Sequence, residues 1–345
     1  MGLQIIKPNT NFDFIGLRKI AFLLSGILIL IGIISLLVQG GPKYGIDFAG
    51  GVIVQVKFSK NIEVKEVKKA LAQAKLPGLV VQRFGSEADN EYLLRLSLGK
   101  QSGEEIRKEV SAALQKNLPQ DVSFEIQRLE MVGPKVGSDL RNKALEALFF
   151  AVLLIAIYIS GRFEHKWAIA VLMAGALGLG VYILKLLSVP ISWLIVAAML
   201  ITLFLCWYLK LKYALGAVVA LIHDITITVG IFSLLGKEFD LTIVAALLTI
   251  VGYSLNDTII VFDRIRENLK DKKVSSFAET INKSINQTLS RTILTSGTTL
   301  VAVLSLLIFG GGVIHDFAFA LFIGILVGTY SSIYVASPVL LAFKE

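Results

Sequence analysis

The residues most capable of chemistry form a polar string, Gly252-Tyr253-Ser254-Leu255-Asn256-Asp257-Thr258, inside the otherwise apolar run 241–262. Placing a carboxylate at bilayer depth costs about 2.5–3.5 kcal/mol on insertion scales. A span that carries one uses it for a proton, an ion or a partner charge. Two other apolar runs carry comparable groups. One holds His223 and Asp224 near its middle, followed by Thr226 and Thr228. The other opens Ser290-Arg291-Thr292 and continues Thr295-Ser296-Gly297-Thr298-Thr299. At helical spacing Arg291, Thr295 and Thr298 or Thr299 share one face, which can line a wet path or meet a carboxylate. Two acids, a base and hydroxyls are what proton transfer across a membrane requires. The acid must alternate between protonated and ionised forms, and a movable cation or access to water drives that change. Each proton crossing 100 mV releases about 2.3 kcal/mol, enough to bias a two-state change more than tenfold.

Each of these residues also has a structural reading. Asp257 can join helices by bonding a serine or threonine across an interface. His223 can be a satisfied packing residue, and Asp224 reads equally well either way. Arg291 can snorkel from the start of its span. The supporting polar residues Ser254, Asn256, Thr258 and Thr295 serve either a proton or a sodium ion, so the coupling ion stays open.

The elements that must position these groups follow from composition. Of 345 residues 55% are hydrophobic and only 17% charged, against about 25% in soluble chains, which marks a polytopic membrane protein. Spans are expected at about 20–38, 144–161, 168–186, 191–209, 213–236, 241–262, 292–310 and 317–342, eight in all. The run 20–38 lacks a persuasive cleavage site and reads as a retained first span. Lys and Arg crowd the flanks before the first span, after the second and fourth, and through 263–291. The positive-inside rule then puts both termini, 1–19 and 343–345, in the cytoplasm. Segment 40–137 falls outside. Strands at 52–58, 78–84, 91–98 and 121–128 and helices at 63–74 and 103–116 give the order β-α-β-β-α-β of a ferredoxin-like α+β domain. Segment 263–291 reads as a cytoplasmic amphipathic connector.

In the last span Ala320, Gly324, Gly328, Ser332 and Ala336 recur every four residues, a stripe that lets another helix approach closely. The single cysteine, Cys206, excludes an intrachain disulfide. No Cys/His cluster offers a metal site, and no cofactor or catalytic residue is expected. The net charge of +8 sits mainly in candidate cytoplasmic loops, so nucleic acid is not expected as a partner.

Residues 252–268, Gly252-Tyr253-Ser254-Leu255-Asn256-Asp257-Thr258-Ile259-Ile260-Val261-Phe262-Asp263-Arg264-Ile265-Arg266-Glu267-Asn268, closely resemble the signature of the SecF branch of the SecD/SecF family of protein-export membrane proteins. Four more blocks agree, in the family's order. They are Gly45-Ile46-Asp47-Phe48-Ala49-Gly50-Gly51, Val132-Gly133-Pro134-Lys135-Val136-Gly137, Ala220-Leu221-Ile222-His223-Asp224, and the block from Asn286 through Arg291 to Ser296. The resemblance implies membership of the resistance-nodulation-division superfamily and location in the bacterial inner membrane. It implies work with a SecD partner beside the SecYEG channel, with YajC and YidC as further candidates. The substrate is a preprotein, drawn out or released at the expense of the proton-motive force, with membrane lipids as surroundings. It matches Asp257 to the family's proton-pathway acid, Arg291 to its basic companion, and Asp224 to the His-Asp block. Gly45, Asp47, Gly50 and Gly51 become the junction between the outer domain and the membrane, and Gly324, Gly328 and Ser332 remain packing residues.

One departure stands out. The family has six spans, and its Arg-Phe-Glu block precedes the His-Asp block by about 15 residues. Here Arg162-Phe163-Glu164 lies about 60 residues before His223. The surplus, 167–209, is expected to be an inserted pair of spans, which preserves the sidedness of everything after it. Two other functions compete with the export subunit. One is a stand-alone proton-driven exporter of lipids or small molecules, for which this chain holds only one half. The other is a purely structural assembly subunit without proton chemistry.

Overall fold

The structure, a computed structural model, describes residues 10–74, 76–85, 89–98, 101–186, 191–270 and 276–343. The apolar run after Arg18 forms α1 (Arg18–Val38), long enough to cross a bilayer. A short turn of helix, α2 (Ile46–Ala49), then leads into the outer module.

Alternation of apolar and polar residues builds that module. Its elements run β1 (Gly51–Phe58), α3 (Val64–Leu71), β2 (Val80–Phe84), β3 (Glu91–Leu96), α4 (Gly103–Asn117) and β4 (Phe124–Val132). The four strands form one antiparallel sheet in the order β2-β3-β1-β4. Val52, Val54, Val56 and Phe58 of β1 point to one face, where Val67 and Leu71 of α3 and Ile106, Val110 and Leu114 of α4 cover them. Ser102 and Glu105 close a capping box at the start of α4. β4 runs four residues beyond the expected strand end and hands over at once to a helix, with Pro134 at its first turn.

The rest is helical: α5 (Pro134–Glu164), α6 (Trp167–Leu186), α7 (Ile191–Tyr208), α8 (Lys212–Leu234), α9 (Leu241–Leu269), α10 (Phe277–Phe309) and α11 (Gly311–Ser331), followed by a π turn, Ser332–Ala336. Among the described residues six stretches are long and apolar enough to cross a membrane: α1, α5, α8, α9, α10 and Ile314–Ala342. The described parts of the surplus segment are two further apolar helices, α6 and α7, while 187–190 lies outside the described residues.

The ends of that pair meet. The Lys166 ammonium donates to the Leu209 carbonyl at 3.0 Å. The Glu164 carboxylate accepts from the Tyr213 backbone N–H at 2.9 Å, so the end of α5 caps the start of α8. Phe163, Tyr213 and Phe262 pack edge to face or tilted at 5.2–5.9 Å beneath this joint.

The expected connector 263–291 is not a separate element. α9 continues to Leu269 and α10 begins at Phe277, so most of it consists of the protruding ends of two membrane helices. The reason lies in its apolar positions. Ile265, Ile281 and Ile285 are buried in the helical core, and Asn268 ties the two ends together through Ser284 and Gln287. Asn282 and Asn286 of α10 also hold the extended segment before α1, bonding the backbone of Phe12 and Phe14.

The small-residue stripe packs within the chain. A Cβ at Gly324 would lie 2.2 Å from Ile250, and one at Gly328 would lie 2.9 Å from the Ser254 Cβ, so α9 and α11 touch at near-backbone distance. At the end of the π turn the contact changes partner. There the Ala336 carbonyl would lie 2.8 Å from a Cβ at Gly216 of α8.

Candidate functional site

Both acids lie between α8, α9, α10 and α11, and the two surroundings differ. Asp224 on α8 is fully buried. One of its oxygens accepts from Ser254 of α9 at 2.6 Å and Ser331 of α11 at 2.8 Å. Its other oxygen is 2.9 Å from Nδ1 of His223. From there a chain of hydrogen bonds runs on. His223 Nε2 is 2.9 Å from Ser25 of α1, Ser25 donates to the Tyr330 hydroxyl at 3.2 Å, and Tyr330 donates to the Ala21 carbonyl at 2.8 Å.

The proton count of this chain follows from its order. Ser25 spends its one proton on Tyr330, so it accepts from His223 Nε2–H. Nδ1 then either carries a proton facing a carboxylate or is bare and faces a protonated Asp224. Both forms give the His223–Asp224 pair one shared proton and no net charge, which suits an apolar interior.

Asp257 on α9 is 2% exposed, yet it has fewer partners. Ser296 of α10 donates to it at 3.1 Å, and Thr329 of α11 in turn donates to Ser296 at 2.8 Å. Arg291 lies on α10, its side chain exposed; its charge acts on Asp257, although no ion pair joins the two among the described residues. It lines a cavity of about 460 Å³ with Asn256, Asp263, Gln287 and Arg162, between the end of α5 and the facing parts of α9 and α10. The sequence-expected companions therefore divide. Arg291 and Asn256 face this cavity. Thr295 bonds the Arg291 and Thr292 carbonyls of its own helix and also reaches the Asp257 carboxylate, while Thr258 bonds the Ser254 carbonyl, as hydroxyls in helices commonly do. Ser254, expected as support for Asp257, serves Asp224.

The outer end of the bundle has its own polar joint. Asp47 of α2 accepts from the Leu241 N–H at 3.0 Å, and Asp240 accepts from Ile243 at 2.9 Å, so two carboxylates cap the start of α9. Burial pushes the Asp240 carboxyl above the usual carboxylate range, and the neighbouring Asp47 charge adds to the rise. Arg95 of β3 pairs with Glu238, linking the sheet to the loop before α9. Gly45 N–H bonds the Phe239 carbonyl at 2.8 Å. Gly50 and Gly51 have φ of +76° and +145°, and a Cβ on Gly50 would lie 3.0 Å from Pro134, so this turn into β1 demands glycine.

Ser25, Thr329, Tyr330 and Ser331 carry no signal of their own in the sequence, and Ser296 stands there only as one member of the polar string after Arg291. Hydroxyl residues are ordinary in apolar helices because they bond their own backbone. A Tyr-Ser-Ser run at 330–332 inside the small-residue stripe was the available signal.

Comparison with known proteins gives a consistent result. Residues 110–200 and 184–345 match the family described as protein export membrane protein SecD/SecF, C-terminal, and residues 34–62 match the SecD/SecF GG motif. The two C-terminal matches break and overlap at 184–200, within the surplus segment. The chain is 40% identical over 347 residues to protein translocase subunit SecF of Calditerrivibrio nitroreducens, covering 99% of this chain and 97% of that one. It is 42% identical over 343 residues to the SecF of Magnetococcus marinus, covering 98% and 94%. Among solved structures, SecDF of Thermus thermophilus, a translocon-associated membrane protein, is similar with a TM-score of 0.70 and 32% identity. That alignment covers 98% of this chain and only 39% of the SecDF chain.

Proposed function

Because this chain belongs to the SecD/SecF family of protein-export membrane proteins, we propose that it is an auxiliary subunit of the Sec translocase that couples the proton-motive force to preprotein export. The observation that carries this reading is Asp257, a carboxylate buried in the bundle, bonded by hydroxyls of α10 and within reach of the Arg291 charge. Approach of the guanidinium favours the carboxylate, and its withdrawal favours uptake of a proton. Arg291 has room for that movement because the cavity leaves its side chain exposed. Asp224 belongs to the same pathway as a fully bonded companion that shares one proton with His223. Ser254, Asn256, Thr258 and Thr295 are its polar surroundings.

The chain works with a SecD half, next to SecYEG, with YajC and YidC as further associates, in the bacterial inner membrane with both termini in the cytoplasm. The split β-α-β order and the sheet order β2-β3-β1-β4 support reading the outer module as ferredoxin-like, engaged with the preprotein on the outer side. The pair α6–α7 adds two spans to the family's six. Exposed Trp167, Trp207 and Tyr208 at its inner end and Tyr182 and Trp193 toward its outer end support this, because such rings collect at both membrane interfaces.

The test is preprotein translocation into vesicles with and without a proton gradient. Asp257→Asn is expected to assemble normally and to abolish stimulation by the gradient. Full stimulation in that variant would sink the coupling assignment.

A further inference from the structure

Three consecutive residues of α11 reach three different parts of the bundle. Thr329 donates to Ser296, which donates to Asp257. Ser331 donates to Asp224 at 2.8 Å. Tyr330, between them, donates to the Ala21 carbonyl and accepts from Ser25, so it holds α1. The π turn begins at the next residue, Ser332, whose hydroxyl bonds the Thr329 carbonyl at 2.9 Å. Such turns widen the helix and often sit at functional sites.

α1 is also held at other levels, among them a close approach of Gly32 to Gly230 of α8, and the hydrogen bonds there touch no acid among the described residues. Near its inner end the preceding segment is bound by Asn282 and Asn286. Near its outer end Ser35 meets Ser233 at 2.8 Å, and Gln39 donates to the Ser233 carbonyl at 2.7 Å. Among the described residues the middle level alone links α1 to a carboxylate, from Asp224 through His223 to Ser25, and Tyr330 joins the same level as the chain neighbour of Thr329 and Ser331. α1 leads through Gly40 and Gly41 to α2 and the outer sheet. A change at Asp257 that shifts Ser296 and Thr329 therefore bears on the same helical turn that grips α1.

We infer that Thr329, Tyr330 and Ser331 are positioning residues that transmit the protonation state of Asp257 to the first span, and through it to the outer module. This rests on the reading of Asp257 as the coupling acid. The element with two arrangements is the turn at 329–332, where Ser331 can donate to Asp224 or to the Gly328 carbonyl and Thr329 to Ser296 or to the Ile325 carbonyl. Thr329 is already 2.8 Å from the Ile325 carbonyl and Ser331 3.1 Å from the Gly328 carbonyl, so both alternatives are within reach.

The experiment measures a distance by paired spin labels in the full chain, purified with the partners that accompany it. Labels go on Leu24→Cys of α1 and Leu154→Cys of α5, both exposed, in a Cys206→Ala background. Asp257→Asn, which imitates the protonated acid, is expected to shift this distance by about 1–2 Å, the size of a helix displacement in a switching bundle. Adding Tyr330→Phe, which keeps the ring and removes the hydroxyl, is expected to erase the shift. Ser25→Ala, cutting the same link from the other side, is expected to do likewise. Gradient-driven translocation by Tyr330→Phe should fall by about three- to tenfold, the worth of one hydrogen bond that differs between two states. No shift with Asp257→Asn, or a shift that survives both Tyr330→Phe and Ser25→Ala, overturns the inference. A hub-dependent shift in a protein whose translocation ignores Asp257→Asn would uphold the transmission and reject the proton coupling, so the two failures are distinct.

Discussion

Asp224 and Asp257 lie on adjacent helices, both are buried, and both receive a serine hydroxyl from a neighbouring helix. Around Asp224 the bonding is complete enough to count protons: two serines, a histidine, and a continuation to α1. Asp257 has only hydroxyls of α10 as hydrogen-bond partners, with the Arg291 charge nearby. A carboxylate offers about four acceptor positions. One that is well supplied is held in a fixed state. One that is sparsely supplied, near a movable cation, can exchange its proton with little rearrangement. Burial alone therefore does not distinguish the two acids; the number and kind of their bonding partners does.

This contrast can be broken most directly by removing each acid in turn. Asp224→Ala strands His223 and two serine hydroxyls, and should cost about 3 kcal/mol or more of stability. Asp257→Ala strands less and should cost under about 1.5 kcal/mol, near the worth of a single hydrogen bond. Thermal unfolding in detergent compares them, and equal losses would erase the distinction. Gly328→Leu comes next, at about 1–3 kcal/mol from overpacking. It pushes on Ser254, so it should disturb the Asp224 site before the Asp257 cavity. Solvent exchange at the two sites, read by hydrogen–deuterium exchange of α8 and α10, would show which gives way first. The smallest effect is expected from deleting 167–209. The Glu164 cap on Tyr213 already joins α5 to α8, and the two acids lie elsewhere. Translocation by the shortened chain should keep its full response to the gradient, and loss of that response would tie the hairpin to the acid sites.

Charged residues in apolar runs are conspicuous, so Asp257, Asp224 and Arg291 were legible in the sequence, as was the alternation that builds the outer sheet. What joins them was not. Ser254 looked like support for Asp257 because it lies one turn away, but helix rotation turns it toward α8. Ser25 stands more than 190 positions from His223, and only the crossing of α1 over α8 brings them together. The charged stretch 263–291 read as a surface connector because charge masks the apolar positions Ile265, Ile281 and Ile285 that keep it in the helical core.

The π turn at Ser332–Ala336 has a consequence for descent and for design. A wide turn of this kind is what a helix does with one residue too many. The four-residue stripe is continuous in sequence but serves two neighbours in space, with Gly324 and Gly328 on α9 and Ala336 against α8. A relative with a plain helix here should align with a single-residue gap near 332–336 and keep both contacts. Deleting one residue at that place in this chain should likewise be absorbed, whereas the same deletion two turns earlier would rotate Thr329, Tyr330 and Ser331 away from every partner they have.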